Sequence, residues 1–231
     1  MGTLYLISTP IGNLDDITLR AIKTLFSVDY IACEDTRRTG NLIMNYESRI
    51  KNKELQIKDL NNSKKLQFIS YYDEIEEKKL PDIINLLEKD NNVALVSDSG
   101  TPLISDPGYK LVSECIKRKI KVVSIPGPSS VLTALISSGL PPNQFIFLGY
   151  LPLNKNKRLK LIEELNQTLK ISKNIKPTVI FFESPHRLIR TLQDIKNIFG
   201  DITIVVAREM TKIHEEIWRG LIVEFLLRKE K

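Results

Sequence analysis

The chain has 231 residues, 42% of them hydrophobic, with 34 Lys and Arg against 28 Asp and Glu for a formal charge of +6, and it contains 10 Gly, 11 Pro and 2 Cys. That composition supports one large or two small domains with cores of their own and excludes disordered, collagen-like and disulfide-stapled classes. Cys33 and Cys115 lie far apart in apolar stretches, as core thiols of a reducing, cytoplasmic protein do; the opening Met1–Ile7 reads as a strand, not a signal peptide, and no apolar run reaches the ~18 residues of a membrane span, so no membrane partner is expected.

Up to about residue 126, short apolar runs alternate with helical stretches. The runs are Leu4–Ile7, Tyr30–Cys33, Phe68–Ser70, Val93–Val96 and Val122–Ile125. Continuous apolar strands separated by helices predict a parallel sheet covered on both faces. Asp106-Pro107 supplies a helix N-cap and N1 proline, after which Leu111, Val112, Cys115 and Ile116 form one apolar stripe. Asn61, Asn62, Ser63, Lys64 and Lys65 read as an exposed loop.

The remainder, 127–231, reads as a second, α+β domain. A helix runs from about Ser129 to Ser138 and stops at Gly139, followed by the apolar run Phe145–Leu148. Beyond it lie Thr178–Phe182, a helix begun by Ser184-Pro185 and ended at Gly200, then the runs Ile202–Ala207 and Glu216–Trp218. Leu188, Leu192, Ile195 and Phe199 recur at helical spacing, and Trp218 reads as core. Most of the net charge collects between Tyr150 and Pro177, where Lys155, Lys157, Arg158, Lys160, Lys170, Lys173 and Lys176 face only Glu163 and Glu164. Such a segment is either a solvated helix or a phosphate-contacting strip.

An open parallel sheet binds ligands where its strands exit into tight turns, because backbone groups there lack sheet partners. Three such turns occur: Ser8–Asn13, the long loop Ser97–Gly108, and Pro126–Ser130. None matches a GxGxxG or Walker pattern, which argues against hydride transfer and nucleotide hydrolysis. Polar clusters follow other strands, at Glu34–Arg38, Glu183–Arg187 and Arg208-Glu209; each alone reads equally as a helix cap or a surface ion pair, and three at equivalent strand ends together suggest a shared cleft. His186, His214 and the two cysteines lack metal-ligand spacing, so no metal is expected, and no Ser or Cys has a nucleophile-elbow context.

The ordered strings TPIGNLDDIT (9–18), EDTRRTG (34–40), VSDSGTPLISDPG (96–108), IPGPSSVLTALISSGLP (125–141), FLGYLP (147–152), FFESPHRL (181–188) and AREMTK (207–212) resemble the ribosomal RNA small subunit methyltransferase I group of the tetrapyrrole methylase superfamily. The resemblance implies two α/β domains of the class III methyltransferase type. These comprise a parallel N-terminal sheet and a mixed C-terminal sheet, with S-adenosylmethionine in the cleft between the domains. It also implies methylation of a cytidine ribose 2′-oxygen in 16S rRNA, free or in the 30S subunit, by a homodimer, with RNA and not DNA as substrate.

Carried over by motif, cofactor contacts fall on Ile11, on Ser99, Gly100, Thr101 and Ile104 in the long loop, on Ser129 and Ser130, and on Phe182 and Met210. Glu34, Asp35, Glu183 and Glu209 are the candidate bases for removing the 2′ proton. Arg37, Lys155, Lys157, Arg158, Arg187 and Arg208 are the candidate RNA contacts. Two departures stand out. Relatives carry a His-x-His-Asn-Glu-like string where this chain reads Tyr71–Glu76, and they continue past Lys231 with a strand that closes the second sheet, so a shortened second domain with an exposed edge is expected. Methylation of a tetrapyrrole-like small molecule, and non-catalytic RNA binding in ribosome assembly, are the alternative readings.

Overall fold

The computed structural model describes residues 1–55, 66–172, 174 and 176–229. The 61–65 stretch read above as a loop, and Lys173 of the basic segment, lie outside the described residues. The chain divides into two compact units, Met1–Ser129 and Ser130–Lys231.

In the first unit, β1 (Thr3–Ile7), β2 (Tyr30–Cys33), β3 (Gln67–Ser70), β4 (Val93–Val96) and β5 (Lys121–Ile125) form one sheet in the order β3-β2-β4-β1-β5. Every pairing is parallel. The strands occupy the positions predicted from their apolar runs, and the period-2 pleat explains why those runs are continuous. Ile31 and Cys33 of β2, with Ala94 and Val96 of β4, join a core covered by α1 (Leu19–Ser27) and α2 (Thr36–Lys51). Ala32, Val93 and Leu95, pointing the other way, join the core under α3 (Glu76–Glu88) and α4 (Tyr109–Lys117). Both cysteines are free and buried, and burial pushes each thiol up to about 11, which suits them to packing and not to nucleophilic chemistry.

α4 departs from expectation. It begins at Tyr109, with Gly108 and not Asp106 at the N-cap. Gly108 adopts φ 131°, and a Cβ there would lie 2.6 Å from a Leu95 methyl, so only glycine fits. Its N–H donates to the buried Glu76 carboxylate at 2.9 Å. Ile116, expected on the apolar stripe, is 65% exposed, because only Leu111 and Cys115 of this helix are buried.

In the second unit, β6 (Phe145–Tyr150) and β7 (Thr178–Phe182) pair in parallel, while β8 (Thr203–Arg208) and β9 (Glu216–Leu221) pair antiparallel. The mixed sheet anticipated for this unit is thus present, among the described residues, as two separate two-stranded ribbons. Their shared core draws Ile162 from α6 (Lys155–Ile171), Leu192 and Ile195 from α7 (Pro185–Phe199), and Ile222 and Phe225 from α8 (Ile222–Lys229). Trp218 packs edge-on against Phe225 at 4.9 Å, a core position as expected. α8 was not anticipated from sequence, although Ile222 and Phe225 stand three apart on one helical face. Arg219 of β9 donates to the Ser137 and Ser138 carbonyls at the end of α5 (Ser130–Ser138), satisfying acceptors that a helix terminus leaves free.

Candidate active site

The three strand-exit turns of the first unit are joined to one another. Thr9 and Gly100 form an isolated antiparallel bridge, with N–H···O distances of 2.9 and 3.1 Å in the two directions. The Thr9 hydroxyl donates to the Ser97 carbonyl at 2.9 Å, and the Thr101 hydroxyl donates to the Pro128 carbonyl at 2.9 Å and accepts from Ser8 at 3.3 Å. Close approach explains two glycines. A Cβ on Gly100, whose φ is 90°, would meet Ile11 Cγ2 at 3.2 Å, and one on Gly127 would meet Ser8 Cβ at 3.0 Å. The predicted positions Ile11, Gly100 and Thr101 therefore belong to one construction. Ser8 and Thr9, which tie it together, were not among the candidates; their signal is a Ser-Thr pair leaving a buried strand directly before proline.

Ile11 and Gly100 are buried, Thr101 is half-buried, and Ser99 and Ile104 are exposed. The loop bends by means of Leu103 and Ser105, both at positive φ, and by a Ser97–Ser99 turn in which the Ser97 hydroxyl accepts from Ser99 N–H at 3.1 Å. The altered 71–76 string has a structural task. The buried Tyr71 hydroxyl donates to Glu76 at 2.9 Å, and the same Glu76 oxygen accepts from Gly108, so the β3 exit anchors the far end of the loop.

Carboxylates crowd the same strand ends. Asp98 accepts from the Asp35 N–H and from Arg38, each at 3.2 Å. Glu34 is half-buried, and burial raises its carboxyl to about 7, with Asp106, Asp98 and Asp73 adding repulsion that Arg38 only partly offsets. Asp106 is also raised, by burial first and by Asp98 and Asp73 next, while Ser97 opposes the shift. Asp35 behaves differently. It caps α2, accepting from Arg37 N–H at 2.8 Å and Arg38 N–H at 3.3 Å, and those donors, Arg37 first, hold its carboxyl below the usual range. Arg37 itself is exposed beside it. Chemically, this end of the sheet offers hydroxyls, a carboxylate that titrates near neutral pH and a negative field suited to a cationic organic ligand.

In the second unit, Ser130, Phe182 and Met210, all candidates for the cofactor, line a largely apolar cavity of about 730 Å³ that β7 and β8 also border. Ser129 closes the first unit. Glu183 is committed: one oxygen accepts from Ser184 N–H at 2.8 Å and pairs with Arg187 at 3.3 Å, and the other accepts from Thr191 at 2.6 Å. Glu209 lies in the β8–β9 turn at φ 49°, paired with Lys212 at 3.3 Å. Arg208 is exposed and paired with Glu216 at 2.5 Å.

The basic segment separates by helical phase. Lys155 and Lys157 are exposed at the start of α6. Arg158 is 6% exposed, paired with Asp194 at 2.6 Å, so it is placed as a link between α6 and α7 and not as a surface contact for RNA. Arg187 likewise donates to the Leu151 carbonyl at 2.8 Å. The clue to Arg158 was its place four residues before the buried Ile162, on the same helix face.

The family model for tetrapyrrole (corrin/porphyrin) methylases matches residues 3–225. A Thermotoga maritima protein named ribosomal RNA small subunit methyltransferase I is 45% identical over 231 residues, which is all of this chain and 93% of that protein. Its Synechocystis namesake is 41% identical over 95% of this chain and 71% of its own length, and that of Bacillus subtilis 43% over 98% and 70%. The crystal structure of the methyltransferase CobJ superposes with a TM-score of 0.64 over 97% of this chain and 88% of its own, at 16% identity, a likeness of fold.

Proposed function

The chain belongs to the tetrapyrrole (corrin/porphyrin) methylases, and from that premise we propose that it is an S-adenosylmethionine-dependent methyltransferase acting on the 2′-oxygen of a cytidine ribose in small-subunit ribosomal RNA. The observation that carries the reading is the end-to-end likeness to relatives so named, in a chain whose strand-exit turns are bonded to one another. We further propose a cytoplasmic homodimer working on the RNA or on the assembled 30S particle.

The residues present suit the cofactor. Ile11, Gly100 and Thr101, with Ser99 and Ile104 on the open side of the loop, would hold it within the first unit; the family resemblance adds Ser129, Ser130, Phe182 and Met210 as further contacts. When bound, it supplies an electrophilic methyl group on a sulfonium cation. The half-buried carboxylates Glu34, Asp98 and Asp106 favour such a cation over the neutral product left after transfer.

Transfer from an activated donor depends chiefly on alignment, which a surface cross-braced by backbone bonds provides. The remaining task is the 2′ proton. Glu34 suits it best of the four candidate bases, Glu209 being held in an ion pair with Lys212. The Glu34 carboxyl titrates near neutral pH, whereas Asp35 is weakened by its cap bonds and Glu183 has its oxygens engaged. Calorimetric titration with S-adenosylmethionine, followed by labelled methyl transfer to 30S particles or small-subunit RNA with a porphyrin precursor as competitor, tests the reading. RNA takes the label at the ribose; no cofactor binding, or labelling of the porphyrin alone, refutes it.

A further inference from the structure

The FLGYLP string at 147–152 has no part in the chemistry above, yet the second unit spends unusual resources on it. The ladder between β6 and β7 shifts register between Phe147 and Tyr150, and Gly149 adopts φ 63° at the irregularity. A bulge of this kind re-aims the side chain that follows it. That side chain is Tyr150, 60% exposed, with its ring 5.4 Å from Phe182, which in turn lies 5.0 Å from Phe147.

The chain beyond Tyr150 is held from beneath. Arg187 donates to the carbonyls of Leu151 and Pro152 at 2.8 and 3.1 Å, and Arg158 to those of Pro152 and Leu153 at 3.4 and 3.5 Å. Both guanidiniums are themselves fixed, by Glu183 and Asp194. Two largely buried arginines thus stiffen three consecutive carbonyls directly after one exposed aromatic ring. Immediately downstream, Lys155 and Lys157 open α6, and among the described residues neither pairs with a carboxylate. An open aromatic face backed by further rings, on a rigid turn, beside unpaired cations, is how a single-stranded nucleic acid is held, base on ring and phosphate on lysine.

We propose that Tyr150 is a stacking residue for an unpaired base of the RNA substrate, with Lys155 and Lys157 neutralising the adjoining phosphates. This rests on the proposed RNA methylation and names how the substrate is gripped. Tyr150 is a positioning residue and takes no part in proton or methyl transfer.

The test uses the full chain, a fluorescein-labelled single-stranded RNA carrying the methylation target, and S-adenosylmethionine as a separate ligand. Tyr150→Ala and Tyr150→Leu are expected to raise the RNA Kd and the KM for RNA about tenfold or more, with kcat at saturating RNA within threefold. Tyr150→Phe stays within twofold of the parent, and the cofactor Kd is unchanged throughout. Replacing both lysines by alanine weakens binding and flattens its dependence on salt, which Tyr150→Leu does not. Unchanged RNA affinity in Tyr150→Leu overturns the proposal, as does a loss shared by Tyr150→Phe, or a weakened cofactor Kd that would put the ring against adenine. A parent chain that binds cofactor but neither binds nor methylates RNA overturns the functional reading as well; a parent that methylates RNA beside an indifferent Tyr150→Leu overturns this inference alone.

Discussion

Each of the two units keeps its own interior together by a different means. The first buries whole strands: all four residues of β4 are buried, and its loops are cross-bonded backbone to backbone. In the second, every residue of β7 is only half-buried, and fixed charges tie α6, α7 and the Tyr150 turn together. A sheet enclosed on both faces can support a site with its main chain, whereas two narrow ribbons need ion pairs to hold a loop in place. Perturbations should accordingly separate: charge deletions act on the stability of the second unit, and glycine or hydroxyl changes act on the site of the first.

Asp194→Ala makes the sharpest break. It leaves the Arg158 guanidinium buried with only long carbonyl contacts, and a loss of about 3–5 kcal/mol is expected, read as an early, separate transition in thermal unfolding. A single unshifted transition would mean that the pair is not what holds the second unit.

Next in size is Glu34→Gln, which should lower kcat about a hundredfold and, with one of the three carboxylates near the sulfonium gone, weaken cofactor binding by a smaller factor. In the parent, kcat/KM should rise with pH and level off above about 7, and the variant should lose that inflection. Stability runs the other way. Because folding raises the Glu34 pKa from an ordinary 4.5 to about 7, the folded state holds the proton more tightly, and stability falls as pH rises between those values. Above pH 7 the glutamine variant should therefore melt higher than the parent.

Arg158 and Glu34 mark where a linear reading stops. The five strands of the first unit were legible because each is a short, largely apolar run separated from the next by a helical stretch, and the three turns were legible as a group because all leave strand ends. Arg158 was not, since counting charges along a segment ignores helical phase. The shift at Glu34 was equally hidden. It arises from burial first, and then from Asp106 and Asp98 of the long loop and Asp73 after β3, none of which is its neighbour in the chain. The start of α4 was misplaced because Gly108 caps it with a conformation that Asp106-Pro107 does not reveal.

Smaller effects refine the contrast. Thr101→Val removes the bond to the Pro128 carbonyl and should cost about 1 kcal/mol, confined to the first unit and accompanied by weaker cofactor binding. Lys157→Ala should change stability by less than about 0.5 kcal/mol. Its signature is a slope of log affinity against log salt shallower by about 0.7 if the lysine meets one phosphate.

The paired ribbons carry a liability of their own. β7 and β8 each have one hydrogen-bonded neighbour among the described residues, and both border the same 730 Å³ apolar cavity. Their outer rows of amides and carbonyls are an unfinished ladder beside a greasy surface, the arrangement that recruits a foreign extended chain. A segment lodged against either edge would find main-chain partners and oil-like walls for its alternate side chains, so crowded or heated solutions should lose this half of the molecule first, through intermolecular sheet.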